Sequence, residues 1–492
     1  MKQFKLLLTL LLGVVVWLFW WLIYPYDLGF QEQNQLFLFT SSYFIERIVV
    51  AGGLADYVSE FITQFYAIPC LGAALLAGLF VCLQRLTWRT AQVLGHTWRR
   101  EVEDIWYPLS MIPAMLLWVA MGNVYVMLSY IVALIGILLL FLGYARCQRP
   151  LWALLVLPCS YMLLGPVTWL LALLICITHR SVRSLSAVAY MMVLVVVAHF
   201  TVLRQYPFSM AMHGVNYYRM PLMGSSLLTA VDIALLVCPT AIALLPAFRK
   251  PMLTAILQVV VCTAATTVAI PWSFDKGTHE LIAYDQLVRQ ENWKEIIRRA
   301  EHWQPQADIG CVSVNLALFM DGQMDKRLGD FWQCGTRGLI MPRVRDLISN
   351  VSSYEVFWRM GFVNSALRYA FDSQESEMNN RKSGRHLCRI VDCQLVNGNY
   401  AVAEKYINIL SHSLFYHRWA ENHRAFLYDD ARVEADKVYG YMRASRFHND
   451  FLYNYGEMDK MLAIIYHQNT GNTMAAYYFK AWSLLKTLDD DE

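Results

Sequence analysis

A chain of 492 residues with 57% hydrophobic, 14% aromatic and only 16% charged side chains, and a mean hydropathy of +0.35, falls well short of the roughly 25% charge of an ordinary soluble domain. A wholly soluble, disordered or collagen-like protein is excluded, and a net charge of +3 excludes the strongly basic surface of a nucleic-acid binder. Residues 1–272 hold 15 Lys/Arg and 9 Asp/Glu whereas residues 273–492 hold 26 and 29, so a membrane domain over 1–272 and a soluble domain over 273–492 are expected.

The first apolar run, Leu6 to Tyr24, follows Lys2 and Lys5 and ends in Trp17, Trp20 and Trp21. It offers no small-x-small cleavage site, and an aromatic belt suits a retained anchor. Further spans read as 66–84, 105–121, 124–143, 184–203, 227–248 and 251–270. The stretch 151–178 is interrupted by Pro158 and Gly165-Pro166. It reads either as one long tilted helix or as a hairpin turning at Gly165-Pro166, since proline breaks the backbone ladder. The hairpin puts 12 Lys/Arg on one face of the membrane against 3 on the other, the single helix 10 against 5. The positive-inside rule therefore prefers the hairpin. It gives about nine membrane segments in a bacterial inner membrane, a cytoplasmic N-terminus and a periplasmic C-terminal domain.

On the outer face, the loop 25–65 carries Asp27, Glu32, Glu46, Asp56 and Glu60. Leu36, Phe37, Phe39, Phe44, Ile45 and Ile48 recur at helix-like spacing, as do Leu54, Tyr57, Val58, Phe61, Ile62 and Phe65, with Gly52-Gly53 between the groups. Two amphipathic helices on the membrane surface are expected. The loop 204–226 carries Arg204, His213, Tyr217, Tyr218 and Arg219, and Asp232 lies about one and a half turns into the next span. An intramembrane carboxylate is costly and is by default a functional candidate, with a structural hydrogen bond as the bland alternative. A carboxylate here would take the proton from an acceptor hydroxyl, and an arginine would hold a lipid phosphate through charge-assisted bonds. Asp27, Glu32, Asp56 and Asp232 are the candidate catalytic acids. Arg204, Arg219, Tyr217 and His213 are the candidate substrate ligands.

An acid soon after span one (Asp27 in "YPYDLGFQEQ"), an amphipathic first outer loop and a terminal outer domain resemble the GT-C class of glycosyltransferases over residues 1–272. That resemblance implies transfer from a polyprenyl-phosphate-linked sugar, with Asp27 or Glu32 as base and Arg204 or Arg219 on the phosphate. The paired-acid and His-containing motifs of the better known branches do not occur. With "GGLADYVSEFITQFY" and "CQLVNGNYAVAEKY", the whole chain is also similar to an uncharacterised family of bacterial multi-pass proteins.

After Trp272, segments such as "ENWKEIIRRAEHW", "GFVNSALRYAFDS" and "NGNYAVAEKYINIL" share a form: a breaker or small residue, then a helix with one apolar face. Their helices start near Asn292, Gln323, Phe362, Asn399 and Asn472, spacings that resemble TPR-like helix pairs stacked into a solenoid. The dense aromatics, Trp303, Trp332, Trp358 and Trp419 among them, read chiefly as inter-helix packing. Cys311 and Cys334 admit a bridge if they face each other in an oxidising compartment, but free buried thiols are the first expectation for all four soluble-half cysteines. His412, His417 and His423 are spaced by five and six, which does not put ligands on one helical face. No Walker loop, Rossmann glycine pattern, Gly-x-Ser-x-Gly elbow or His-Glu-x-x-His motif occurs, so no cofactor and no metal are expected. The expected fold is all-α: a polytopic transmembrane helix bundle followed by a soluble TPR-like α-solenoid. The expected partners are membrane lipid, a lipid-linked sugar and a periplasmic protein. The expected function is lipid-linked sugar transfer in envelope glycan assembly, with a non-enzymatic membrane-anchored scaffold as the rival.

Overall fold

The computed structural model describes residues 2–489 apart from 148–149, 214–225, 247–250, 343–348, 379–380 and 447–454. Its elements are helices, with no strand among the described residues. The chain forms two compact units, Met1–Glu32 with Thr40–Asp275, and Gln33–Phe39 with Lys276–Glu492.

The first unit runs α1 (Lys2–Leu18), α2 (Pro25–Gln33), α3 (Ser41–Ile48), α4 (Gly53–Thr63), α5 (Pro69–Thr97), α6 (Ile112–Ala120), α7 (Leu128–Cys147), α8 (Pro150–Leu164), α9 (Thr168–His179), α10 (Leu185–Phe200), α11 (Phe208–His213), α12 (Ser226–Leu244) and α13 (Pro251–Ser273). A 3-10 stretch, Asp104–Met111, leads into α6. Helix α1 shows why these segments need a lipid environment. Leu8, Leu12 and Val16, spaced by four, face the bundle, while Leu6, Leu7, Leu10, Leu11, Val14 and Val15 are exposed. A helix apolar on both faces is stable only where its outer face meets lipid.

Polar side chains fix which helix ends meet. At one end, Lys5 pairs with Asp104 at 2.5 Å, Trp98 Nε1 donates to Thr178 O at 3.0 Å and Arg100 donates to Leu244 O at 3.1 Å. At the other, Trp17 Nε1 donates to Cys70 O at 3.1 Å and Ser273 Oγ donates to Val119 O. Phe274 packs there against Phe19. The stretch containing Pro158 and Gly165-Pro166 folds back on itself. Tyr144 OH lies 2.8 Å from His179 Nε2, so the end of α9 returns to the level at which α7 ends and α8 begins. Gly165, at φ +80, makes the turn without a Cβ penalty. Gly52, at φ +90, lies directly against it: a Cβ on Gly52 would sit 3.6 Å from Gly165 Cα, and Gly52 N–H donates to Met162 O at 2.9 Å.

The outer loop forms the two expected amphipathic helices as α3 and α4, separated at Gly52, with the further helix α2 ahead of them. The start of the first apolar group departs from expectation: Leu36, Phe37 and Phe39 lie between α2 and α3 in non-helical backbone, within the second unit. Their helix-like spacing is overridden because their burial partners lie more than 300 residues away in sequence.

The second unit contains α14 (Lys276–Arg289), α15 (Trp293–His302), α16 (Asp308–Met320), α17 (Met324–Arg327), α18 (Ser349–Met360), α19 (Val363–Ser376), α20 (Gly384–Asn397), α21 (Tyr400–Ser411), α22 (His417–Arg424), α23 (Asp430–Ala435), α24 (Lys437–Ser445), α25 (Met458–Gln468) and α26 (Thr473–Asp489). One device joins four of its helix pairs. Glu291, Gly322, Gly361 and Gly398 each take a positive φ. The next residue's N–H closes a bond to a carbonyl five residues back: Asn292 to Leu287 (3.0 Å), Gln323 to Leu318 (2.8 Å), Phe362 to Phe357 (2.9 Å) and Asn399 to Gln394 (2.9 Å). Each turn satisfies an orphan carbonyl of one helix and reverses the chain into the next. The stacking is not one-directional. In a simple solenoid the last pair would touch only its predecessor, yet Asn472 donates to Met360 O at 2.8 Å and Tyr478 packs on Phe319 with ring centroids 6.1 Å apart. Helix α26 therefore returns to α16 and α18.

Candidate functional site

Two of the four candidate acids lie by Tyr130, Asp56 through a shared crevice and Asp232 through a hydrogen bond. Asp56 lies in the first turn of α4, where helix N-terminal N–H groups favour a carboxylate. It lines a small crevice of about 20 Å3, together with Ser129, Tyr130, Gly165 and Pro166. The Tyr130 hydroxyl reaches Asp232 Oδ1 at 2.8 Å and Leu228 O at 3.1 Å. Tyr130 is shared by the crevice and by the hydrogen bond to Asp232, which does not itself line the crevice; Gly52 and Gly165 line it as well. Asp27 and Glu32 are buried on α2, do not line this crevice, and belong to a helix anchored through Gln31, whose Nε2 lies 3.3 Å from Val126 O.

The candidate ligands do not assemble with them. Arg204 and His213 are exposed, neither lines the crevice, and Tyr217, Tyr218 and Arg219 lie outside the described residues. Among the described residues no three His, Cys, Asp or Glu side chains group as a metal site.

The structure adds two polar clusters that the sequence did not single out. Between α3 and α4, Tyr43 OH donates to Glu60 Oε2, and Arg47 Nε donates to the same oxygen at 3.0 Å. All three are buried. Burial and the Glu60 carboxylate push the Tyr43 hydroxyl well up. Burial opposes the Arg47 charge most strongly, but Glu60, Tyr43 and Asp56 together outweigh it and the guanidinium is held protonated. The signal in the sequence was a charge pair inside otherwise apolar helix faces.

The second cluster is the polar centre of the second unit, capped by the segment 33–39. Arg385 Nη1 donates to both oxygens of Asp285, at 2.9 and 2.7 Å, and to Gln33 Oε1 at 3.1 Å. Gln286 Nε2 donates to the same Gln33 oxygen at 2.9 Å. Arg389 donates to Glu355 at 3.0 Å, and Arg359 donates to the same carboxylate. Burial alone would raise the Glu355 carboxyl, but Arg389, Arg359 and Arg385 hold it well below the usual carboxylate range. Burial lowers His386 to about 3, helped by Arg385 and Arg289. It also pushes Glu377 well up against the pull of Arg381. His386 and Glu377 lie 3.4 Å apart, and burial disfavours the charged form of each. Beyond Gln33 the segment is an apolar strap. Leu36, Phe37 and Leu38 are buried, Leu36 N–H donates to Lys382 O and Phe39 N–H to His412 O, each at 2.8 Å.

Among the described residues, six helical stretches are long and apolar enough to cross a membrane, with α8 and α9 counted as one, and with the helical, charge-rich second unit they give the chain the make-up of a multi-pass membrane protein. It belongs to a family of unknown function, DUF6057, whose model matches residues 1–488. No curated protein and no solved structure matches the chain.

Proposed function

We propose that this is an inner-membrane protein of nine membrane segments, with a cytoplasmic N-terminus and a periplasmic second unit, that transfers sugar from a polyprenyl-phosphate carrier in envelope glycan assembly. The topology rests on parity. The second unit is built around residues 33–39, which leave the first apolar helix, so one crossing at α1 carries that unit to the face opposite the N-terminus. Six crossings would return the chain to the N-terminal face. An odd number follows when Asp104–Ala120 and Leu185–Phe200, the shorter apolar helices, also cross, and α8 and α9 count as a re-entrant pair.

The observation that carries the chemistry is the placement of Asp56 beside Tyr130 in the crevice, with Asp232 hydrogen-bonded to the same tyrosine. In the GT-C-like reading, Asp56 accepts the proton of an acceptor hydroxyl as that oxygen attacks the sugar's anomeric carbon. The bond to the lipid phosphate breaks, and the phosphate leaves with the electron pair. Asp232, oriented by Tyr130, keeps the neighbouring field negative. Arg204 or Arg219, with Tyr217 and His213, would hold the phosphate. Asp27 or Glu32 would serve as base if the acceptor enters beside α2. A second reading, a membrane-anchored scaffold for an envelope partner with TPR-like repeats, is favoured by the strap: capture of extended chain is something the second unit already does.

Complementation of a deletion strain decides between them. The enzyme reading expects Asp56→Asn, Asp232→Asn, or one of Asp27→Asn and Glu32→Gln to abolish function at normal protein level. Full function in all four variants, singly and combined, eliminates catalysis by these acids.

A further inference from the structure

We propose that Cys311 and Cys334 form a disulfide in the native protein, a modification site that staples α16 to the segment following it. Cys311 lies in the first turns of α16, and Cys334 immediately precedes the 3-10 turn Gly335–Gly338. Both are buried, and each carries a free thiol in this structure. Their sulfurs converge on one residue. A Cβ built on Gly338 would lie 2.5 Å from Cys311 Sγ and 3.2 Å from Cys334 Sγ, so glycine at that position leaves room for the pair.

The approach is held from several sides. Cys311 Sγ lies 3.4 Å from Trp332 O and 3.5 Å from Gln333 Oε1, the two residues before Cys334. Asn315, one turn beyond Cys311, donates to Gln333 Oε1 and to Gly338 O, each at 2.9 Å, and accepts from Gln333 Nε2 at 3.1 Å. This amide clamp ties 333–338 to α16 and keeps both sulfurs beside Gly338, the proximity a bridge requires. The Cys334 thiol donates to Cys311 and holds the Cys311 thiol below its ordinary value, so Cys311 is the better attacking sulfur.

The chemistry needs a disulfide donor, of the class of a dithiol oxidoreductase in its oxidised form. The Cys311 thiolate attacks one donor sulfur, and the other leaves as a thiolate. The Cys334 thiolate then displaces the donor from the mixed disulfide. In sum two protein thiols lose two protons and two electrons, and one donor disulfide becomes two thiols. Formation in the cell rests on the periplasmic placement proposed above, since a reducing cytoplasm keeps such pairs open.

The test uses the full-length protein in its membrane. Cells are quenched in acid, free thiols are blocked with one maleimide under denaturing conditions, the protein is reduced, and the released thiols take a heavier maleimide before peptide mass spectrometry. The expected result is the heavy label on both Cys311 and Cys334 in most molecules and the light label on Cys388 and Cys393. In Cys334→Ser, Cys311 should carry the light label. Light label on both residues of the wild type overturns the proposal. Oxidised glutathione added to the detergent-purified protein then shows which premise failed: a link that forms there indicts the periplasmic placement, and no link indicts the geometry. An alkaline phosphatase fusion at the C-terminus reports that placement independently.

Discussion

Truncating Phe37 should release the strap while leaving the rest of the second unit folded. Phe37 is 2% exposed and packs edge-to-face on Phe39 with centroids 4.9 Å apart. Removing a buried phenyl ring costs about 3–5 kcal/mol. The strap's two backbone hydrogen bonds, to Lys382 and His412, contribute roughly 1 kcal/mol each. Holding each strap residue in place costs about 1–2 kcal/mol of chain entropy, so the segment has little margin. Hydrogen exchange with mass spectrometry on the detergent-solubilised chain reads this directly. In Phe37→Ala the peptide containing Leu36 and Phe39 should lose its protection, while peptides from α18 to α21 keep theirs. Phe39→Ala is the control, because Phe39 is 53% exposed, and it should leave the strap protected. Unchanged protection in Phe37→Ala would refute packing as what holds the strap, and loss of protection throughout α18–α21 would refute its being separable.

Arg385→Met leaves the Asp285 carboxylate buried without its bidentate partner, so it should cost about 3–5 kcal/mol in denaturant unfolding followed by tryptophan fluorescence. Adding Asp285→Asn should recover part of that loss, and a cost below about 1 kcal/mol would contradict the assigned pairing. His386 predicts a pH dependence with a definite sign. Its folded value of about 3 lies below the ordinary 6.5, so the unfolded chain binds the proton first and stability falls as pH drops from 6.5 toward 3. Between pH 7.5 and 5.5 the loss should be about 1.4 kcal/mol. Denaturation curves of wild type and His386→Gln at the two pH values check it, since the variant should lose that part of the slope.

Helix starts in the second half were legible because a local chemistry repeats. Asn292, Gln323, Phe362 and Asn399 each follow a residue of positive φ and each stands at a helix N-cap. A breaker followed by an apolar face can be read from a dozen residues. The return of α26 onto α16 could not, because it depends on Asn472 and Tyr478 finding partners more than 100 residues earlier. The strap failed for a related reason: a short apolar run fits helix or extended chain equally until its partner is known. Asp56 and Asp232 stood out as acids among apolar neighbours, but Tyr130, which lines the crevice with Asp56 and bonds Asp232, reads in sequence as an ordinary interface aromatic. Arg385, Glu355 and Asp285 stand 30 to 100 residues apart, and only folding buries them together.

The strap also bears on which function is correct, because Gln33, where the strap begins, closes α2, the helix that carries Asp27 and Glu32. Occupancy of the second unit and the position of two candidate acids are thus joined by one covalent chain, and loss of function in a strap variant would not by itself separate enzyme from scaffold. Two perturbations uncouple them. Phe37→Ala frees the strap but leaves Asp56, Tyr130 and Asp232 in place. Asp56→Asn with Asp232→Asn removes the carboxylates and leaves the strap. An enzyme should lose complementation in the acid variant and keep a measurable part of it in the strap variant. A scaffold should show the reverse, with the acid variant silent, because amide side chains of the same shape preserve the fold that a binding surface needs. If both variants are silent, neither the crevice nor the strap carries the function.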